Sequence, residues 1–216
     1  MKTVEELESW LKATERKYGG PTKRLPCNVP SPYDTRTMAE RGKNSFVGGD
    51  RMGYHDFAGR YAEHLLPFIG KKVTLVEIGV LLGTGLAIWC DLFPDSRIIG
   101  LDIDPNYFSI GKRNLRMLGA FEKNEPEIYR FDQLETPKLN TNYLLTILSG
   151  DKISISVDDG MHTDQSVMNT YAVIKPLLAS PGLHFIEDNR TAAPMLAGKY
   201  PDHEIIITGL LAICKN

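Results

Sequence analysis

The stretch VTLVEIGVLLGTGLAIW, residues 73–89, changes its period midway. Val73 to Ile78 is a short, largely apolar run of the length and composition of a covered strand, whereas Thr84 to Phe93 reads as a helix. Between them fall Gly79, Gly83 and Gly85, where the backbone must turn sharply and can come close to a ligand. Strand, glycine turn and helix in this order form the first unit of an α/β fold, and the pattern repeats down the chain. Further strands are expected at Arg97–Ile103, Glu127–Phe131, Ile153–Val157, Leu183–Ile186 and Glu204–Thr208. Helices are expected at Pro105–Leu118, Leu134–Leu148 and Thr163–Leu178. Alternation of this kind predicts a doubly wound, mostly parallel, seven-stranded sheet. EIIITGLLAICKN at the end has no helix between its apolar halves, which calls for an antiparallel last strand.

Upstream, Thr3 and Glu6 suggest a capping box, and Val4, Leu7, Trp10 and Leu11 share one helical face until Gly19-Gly20-Pro21. Periodicity then vanishes through Pro21–Gly53, as in a lid-like loop, and Tyr54–Leu66 reads as a helix stopped by Pro67. The expected organisation is a helix and loop over 1–53 followed by one compact domain over 54–216.

Composition narrows the partners. Lys and Arg number 25 against 27 Asp and Glu, a net charge of −2 that leaves no basic surplus for a nucleic-acid backbone or an anionic bilayer. The longest apolar run, Ile205–Cys214, is too short to span a membrane, and MKTVEELESW carries acids where a signal peptide needs an apolar stretch, so a cytoplasmic protein is expected. Cys27, Cys90 and Cys214 are too few and scattered for a disulfide framework or a zinc site. A homo-oligomer is compatible with the sequence.

The glycine spacing is GxxxGxG and not the GxGxxG of dinucleotide-binding dehydrogenases, and it is preceded by an acid, Glu77. A carboxylate there suits a cationic ligand better than a diphosphate, and S-adenosylmethionine carries a sulfonium and an ammonium. Asp102 ends the second strand in GLDID, where it can accept both ribose hydroxyls. EIGxxxGxG followed by GLDID resembles the first motif and following acidic position of class I methyltransferases. That resemblance implies an adenine contact for Asp132, after the third strand in YRFDQL. A nicotinamide oxidoreductase and a catalytically silent binding domain are the rival readings of such a turn.

The fourth and fifth strands end in VDDGMH and FIEDN. If these strands are neighbours, Asp158, Asp159, Glu187 and Asp188 crowd negative charge into one cleft, an arrangement that a cation offsets. Hard oxygen donors favour Mg²⁺ or a similar divalent ion. His162, three residues beyond Asp159, is a candidate base for an acceptor hydroxyl.

DDGMH, the helix after it and PLLASPGLHFIEDN resemble the Mg²⁺-dependent sugar O-methyltransferases of macrolide biosynthesis, the mycinamicin type, and the related cephalosporin hydroxylase-like group. The resemblance runs from GYHDFAGRY to IEDN, well over half of the chain. It implies Asp159, Glu187 and Asp188 as metal ligands, His162 as base, and an acceptor hydroxyl on a sugar or glycosylated small molecule. Met161 stands where that family usually has a small residue, and Asn189 permits a second register, Asp159, Asp188 and Asn189, as in catechol O-methyltransferases. Asp50, Tyr54 and His55 fall in a segment similar to one that closes over cofactor and acceptor. His184, within a strand, and Trp89, within a helix, read as packing residues, and His64 and His203 have no assigned role.

Overall fold

The computed structural model describes residues 1–19 and 49–216. Residues 21–48 of the expected lid-like loop, with Cys27, lie outside the described residues. The chain divides into two compact units, Met1–Lys72 with Val80–Ser96 and Asp104–Pro126, and Val73–Gly79 with Arg97–Ile103 and Glu127–Asn216.

The first unit is helical: α1 (Val4–Tyr18), α2 (Ala58–Leu65), α3 (Thr84–Leu92) and α4 (Asn106–Met117). Thr3 caps α1 by accepting from the Glu6 N–H at 3.2 Å, but the Glu6 carboxylate reaches the Lys2 N–H at 2.7 Å, so the expected reciprocal box is half formed. Leu7 and Leu11 are fully buried. Beside them the buried Glu15 carboxylate accepts from the Met52 and Gly53 N–H groups at 2.7 and 2.8 Å, which fixes the approach to α2. That helix starts at Ala58, four residues later than its periodicity suggests. The Tyr54 and His55 N–H groups both bond to the Asp50 carbonyl in a turn, and Asp56 adopts φ +55, outside helical space. Trp89 is wholly buried, its ring 5.5 Å from that of Tyr61 and with the Arg51 guanidinium 5.4 Å above it, a packing role as expected.

The second unit carries the sheet: β1 (Thr74–Ile78), β2 (Arg97–Asp102), β3 (Glu127–Arg130), β4 (Ile153–Asp158), β5 (Leu178–Ile186), β6 (Glu204–Thr208) and β7 (Leu211–Lys215). With it are helices α5 (Pro137–Leu148), α6 (Asp164–Ile174) and α7 (Ala192–Lys199). The order is β3-β2-β1-β4-β5-β7-β6, parallel through the first five strands. β7 runs antiparallel to both neighbours, so the seven-stranded, doubly wound expectation holds. Strand order reverses between β1 and β4, the switch point at which such sheets bind ligands. Every residue of β1 is buried. Val76, Ile78, Ile99 and Leu101 pack with Leu144, Val173 and Ile174 of α5 and α6. Ile186 and Ala212 pack with Val167, Ala193 and Leu196.

Two features depart from the sequence reading. β5 begins five residues earlier than expected, at Leu178, with Ser180-Pro181-Gly182 inside a strand whose pairing with β4 shifts register between Ile153 and Ile155. Helix α7 is additional to the expected helices, and its Pro194 falls in the first turn, where no N–H is needed. Among the described residues no helix is long and apolar enough to cross a membrane.

Candidate active site

Register places the acidic strand ends at one level. Ile78 pairs with Asp158, and Asp158 with Ile186. The ladder continues one residue further, with the Asp159 N–H donating to the Ile78 carbonyl and the Glu187 N–H to the Asp158 carbonyl, each at 2.9 Å. The chain leaves both strands together, and Asp159, His162 and Asp188 converge, with one ligand atom from each lying within 4.8 Å of the others. All three side chains are half-buried.

His162 Nδ1 lies 3.3 Å from the Glu187 carbonyl, and Nε2 lies 3.8 Å from Asp159 Oδ1. A carbonyl only accepts, so this contact selects the tautomer with hydrogen on Nδ1 and leaves the Nε2 lone pair facing the acids, suited to a ligand or a base. His162 and Asp188 have φ +58 and +54, left-handed values that cost non-glycine residues energy and gather at functional sites. Asn189 holds the two loops together. Its Nδ2 donates to the His162 carbonyl at 2.9 Å and to Asp164 Oδ1 at 3.0 Å, while its Oδ1 accepts from the N–H groups of Thr191 and Ala192 at 2.9 and 2.6 Å. Both ends of this amide are therefore engaged at the start of α7, which speaks against the register with Asn189 as a metal ligand.

Beneath the cluster Asp158 is 2% exposed. Its Oδ1 accepts from Gln133 Nε2 at 2.8 Å and from the Gly160 N–H at 3.3 Å. Burial pushes its carboxyl up to about 6, against the opposing pull of His162 and of the Gln133 bond. Gly79 makes room for this turn. It has φ +86, and a Cβ there would lie 2.1 Å from the Asp159 carbonyl oxygen and 2.7 Å from Gly160 Cα.

Glu77 is buried at 1% exposure in β1. Asp102, half-buried, ends β2, and Asp132, half-buried, follows β3 and accepts from the Leu134 N–H at 2.9 Å. In the helical unit Gly83, with φ +90, caps α3, and its absent side chain leaves space for the Phe108 ring, while Gly85 lies in the first turn of that helix. Of the three acids expected to bind metal, Asp159 and Asp188 join His162, whereas Glu187, 2% exposed, meets the histidine through its carbonyl. Asp50 and His55 approach to 3.6 Å, and Tyr54 is 69% exposed. The residue that sequence reasoning missed is Gln133, for no spacing links it to a turn some 25 residues away.

Two carboxylates at this separation, with an imidazole beside them, fit a hard or borderline divalent ion that keeps open positions for water or substrate oxygens.

No protein-family model matches the chain. It is 26% identical over 172 residues to the 8-demethyl-8-alpha-L-rhamnosyl tetracenomycin-C 2'-O-methyltransferase of Streptomyces olivaceus, covering 76% of this chain and 41% of that protein. To the mycinamicin VI 2''-O-methyltransferase of Micromonospora griseorubida it is 26% identical over 146 residues, 64% of this chain and 32% of the relative. The chain thus spans well under half the length of these curated relatives. Among solved structures, the MycE methyltransferase of the mycinamycin biosynthetic pathway in complex with Mg and SAH superposes with TM-score 0.60 at 19% identity, covering 93% of this chain and 69% of that one. The complex that also contains mycinamycin VI gives 0.57 at 17% identity, over 90% and 66%. The sheet therefore shares the Rossmann-like fold of that methyltransferase.

Proposed function

We propose that this chain is an S-adenosylmethionine-dependent, divalent-metal-dependent O-methyltransferase acting on a hydroxyl of a sugar or glycosylated small molecule. The observation that carries the reading is the convergence of Asp159, His162 and Asp188 at the switch-point edge of a class I methyltransferase sheet. The printed activities of the sugar O-methyltransferase relatives support it.

When bound, the cofactor supplies an electrophilic methyl group, and the metal orients and acidifies the acceptor hydroxyl. Asp159 and Asp188, with the neighbouring Glu187 as third acid, hold the ion. His162 takes the hydroxyl proton on Nε2 as the methyl group transfers, its ring aimed by the contact between Nδ1 and the Glu187 carbonyl. Glu77 receives the ammonium of the methionine moiety, Asp102 accepts the ribose hydroxyls, and Asp132 contacts the adenine. Gly79, Gly83 and Gly85 are assigned to the same cofactor on their motif. In-line transfer gains most from such positioning, because little covalent chemistry falls to the protein.

Calorimetry with S-adenosylhomocysteine and with NAD, followed by methyl transfer to a panel of glycosides in EDTA and then in Mg²⁺, tests this reading. Binding of the first ligand alone and Mg²⁺-restored turnover are expected. NAD binding, or full turnover in chelator, would overturn it.

A further inference from the structure

Gln133 enters the site from the chain just beyond β3 and is 7% exposed. All of its side-chain hydrogen-bonding groups are engaged. Oε1 accepts from the Met161 N–H at 2.8 Å, and Nε2 donates to Asp158 Oδ1 and to Thr170 Oγ1, each at 2.8 Å. Its carbonyl accepts from Asn169 Nδ2 at 3.1 Å. The turn from Asp158 to His162 wraps around this one amide. At Gly160 a Cβ would lie 2.1 Å from Gln133 Oε1 and 2.7 Å from its Cδ, so a side chain there would push the amide off its hydrogen-bond partners.

Met161 lies between the two groups whose geometry matters, two residues after Asp159 and immediately before His162. Its N–H is anchored by an acceptor from outside the turn, and one residue later the chain enters the left-handed conformation of His162, φ +58. Such a conformation persists only where its surroundings enforce it. The Asn189 bond to the His162 carbonyl holds the turn from one side, and Gln133 holds it from the other.

We infer that Gln133 is a positioning residue for the metal and base loop, acting through the Met161 N–H and Asp158 to hold Asp159 and His162 in their converging arrangement. This rests on the metal-dependent reading above. Truncating the amide releases the turn, lets His162 relax toward negative φ and moves one ligand away from the other acids. Outer partners of metal ligands typically control affinity by about 10–100-fold.

The test uses the full chain stripped of metal by chelator, with Mn²⁺ as the probe. Gln133→Met keeps the volume and removes both the acceptor and the donors, and Gln133→Glu keeps an acceptor for Met161. Two quantities are read: the hydrogen-exchange rate of the Met161 amide in metal-free protein, and the Mn²⁺ dissociation constant by calorimetry. Gln133→Met is expected to speed Met161 exchange and weaken Mn²⁺ binding by about 10-fold or more. Gln133→Glu is expected to retain Met161 protection and to bind Mn²⁺ more tightly than Gln133→Met. Wild-type affinity or wild-type Met161 exchange in Gln133→Met overturns the positioning role while leaving the metal-dependent reading intact. Failure of the wild-type chain to bind Mn²⁺ overturns both.

Discussion

Gly79→Ala tests whether the end of β1 and the acidic turn are pressed together as described. The new Cβ would stand 2.1 Å from the Asp159 carbonyl oxygen, 2.5 Å from its carbonyl carbon and 2.7 Å from Gly160 Cα, all of them backbone atoms that cannot rotate aside. Relief requires the Asp159–Gly160 backbone to retreat by about 1 Å, the shortfall from an ordinary van der Waals contact. That movement strains the 2.9 Å bonds from Asp159 N–H to the Ile78 carbonyl and from Gly79 N–H to the Leu101 carbonyl. Overpacking costs about 1–3 kcal/mol, the left-handed conformation about 1–2 and each of the two weakened hydrogen bonds about 1, so a loss of about 4–7 kcal/mol is expected. At about 2–4 °C per kcal/mol for a domain of this size, the melting temperature should fall by about 10 °C or more. Gly150→Ala is the matched control: φ there is +98, but nothing lies within 4 Å of the added Cβ, so only the backbone cost of about 1–2 kcal/mol applies. Urea unfolding of both variants measures the difference directly. Equal destabilisation would refute the close approach.

Other perturbations address different parts of the same framework. His184 is completely buried on β5, and burial alone holds its imidazole down to about 3 against an ordinary 6.5. Between those values the unfolded chain binds a proton that the folded chain refuses, so stability should fall as pH drops below 6.5, by up to about 1.4 kcal/mol per pH unit. Comparing urea unfolding of wild type and His184→Leu at pH 7 and pH 5 should show about 2 kcal/mol more acid sensitivity in wild type, and parallel behaviour would contradict it. Asn189→Ala removes the oxygen that accepts from Thr191 and Ala192 and should cost about 1–2 kcal/mol in unfolding free energy while weakening Mn²⁺ binding. Arg97→Met removes a paired contact with Glu127, at 2.7 and 2.9 Å, and donors to the Ile147 and Leu148 carbonyls at the end of α5. A loss of about 1–3 kcal/mol is expected, and Arg97→Lys should recover only part of it in the same assay.

The sequence disclosed most where local pattern and tertiary role coincide. Val73–Ile78 is largely apolar because β1 is buried along its whole length, and Gly79 ends the run because only glycine allows the approach to Asp159. Asp159 and Asp188 come together because the parallel neighbours β4 and β5 end at one sheet edge, a placement their positions after two strands already suggest. Where backbone hydrogen bonding overrides periodicity, the reading slipped. Asp50 collects two N–H groups in a turn and delays α2 to Ala58. Asn189 joins the two loops, a role that its place after Glu187-Asp188 does not announce. Gln133 was illegible in principle, for its partners Met161, Asp158 and Thr170 come together only when β3, β4 and α6 are assembled.

Calorimetric titration of Mn²⁺ into the chelator-stripped chain, comparing wild type with Asp159→Asn and Asp188→Asn, tests the account most directly. One saturable ion per wild-type chain, weakened by about 10-fold or more in each variant while both still melt cooperatively, is the expected outcome. Unchanged affinity in either variant would mean that these strand-end acids do not hold an ion.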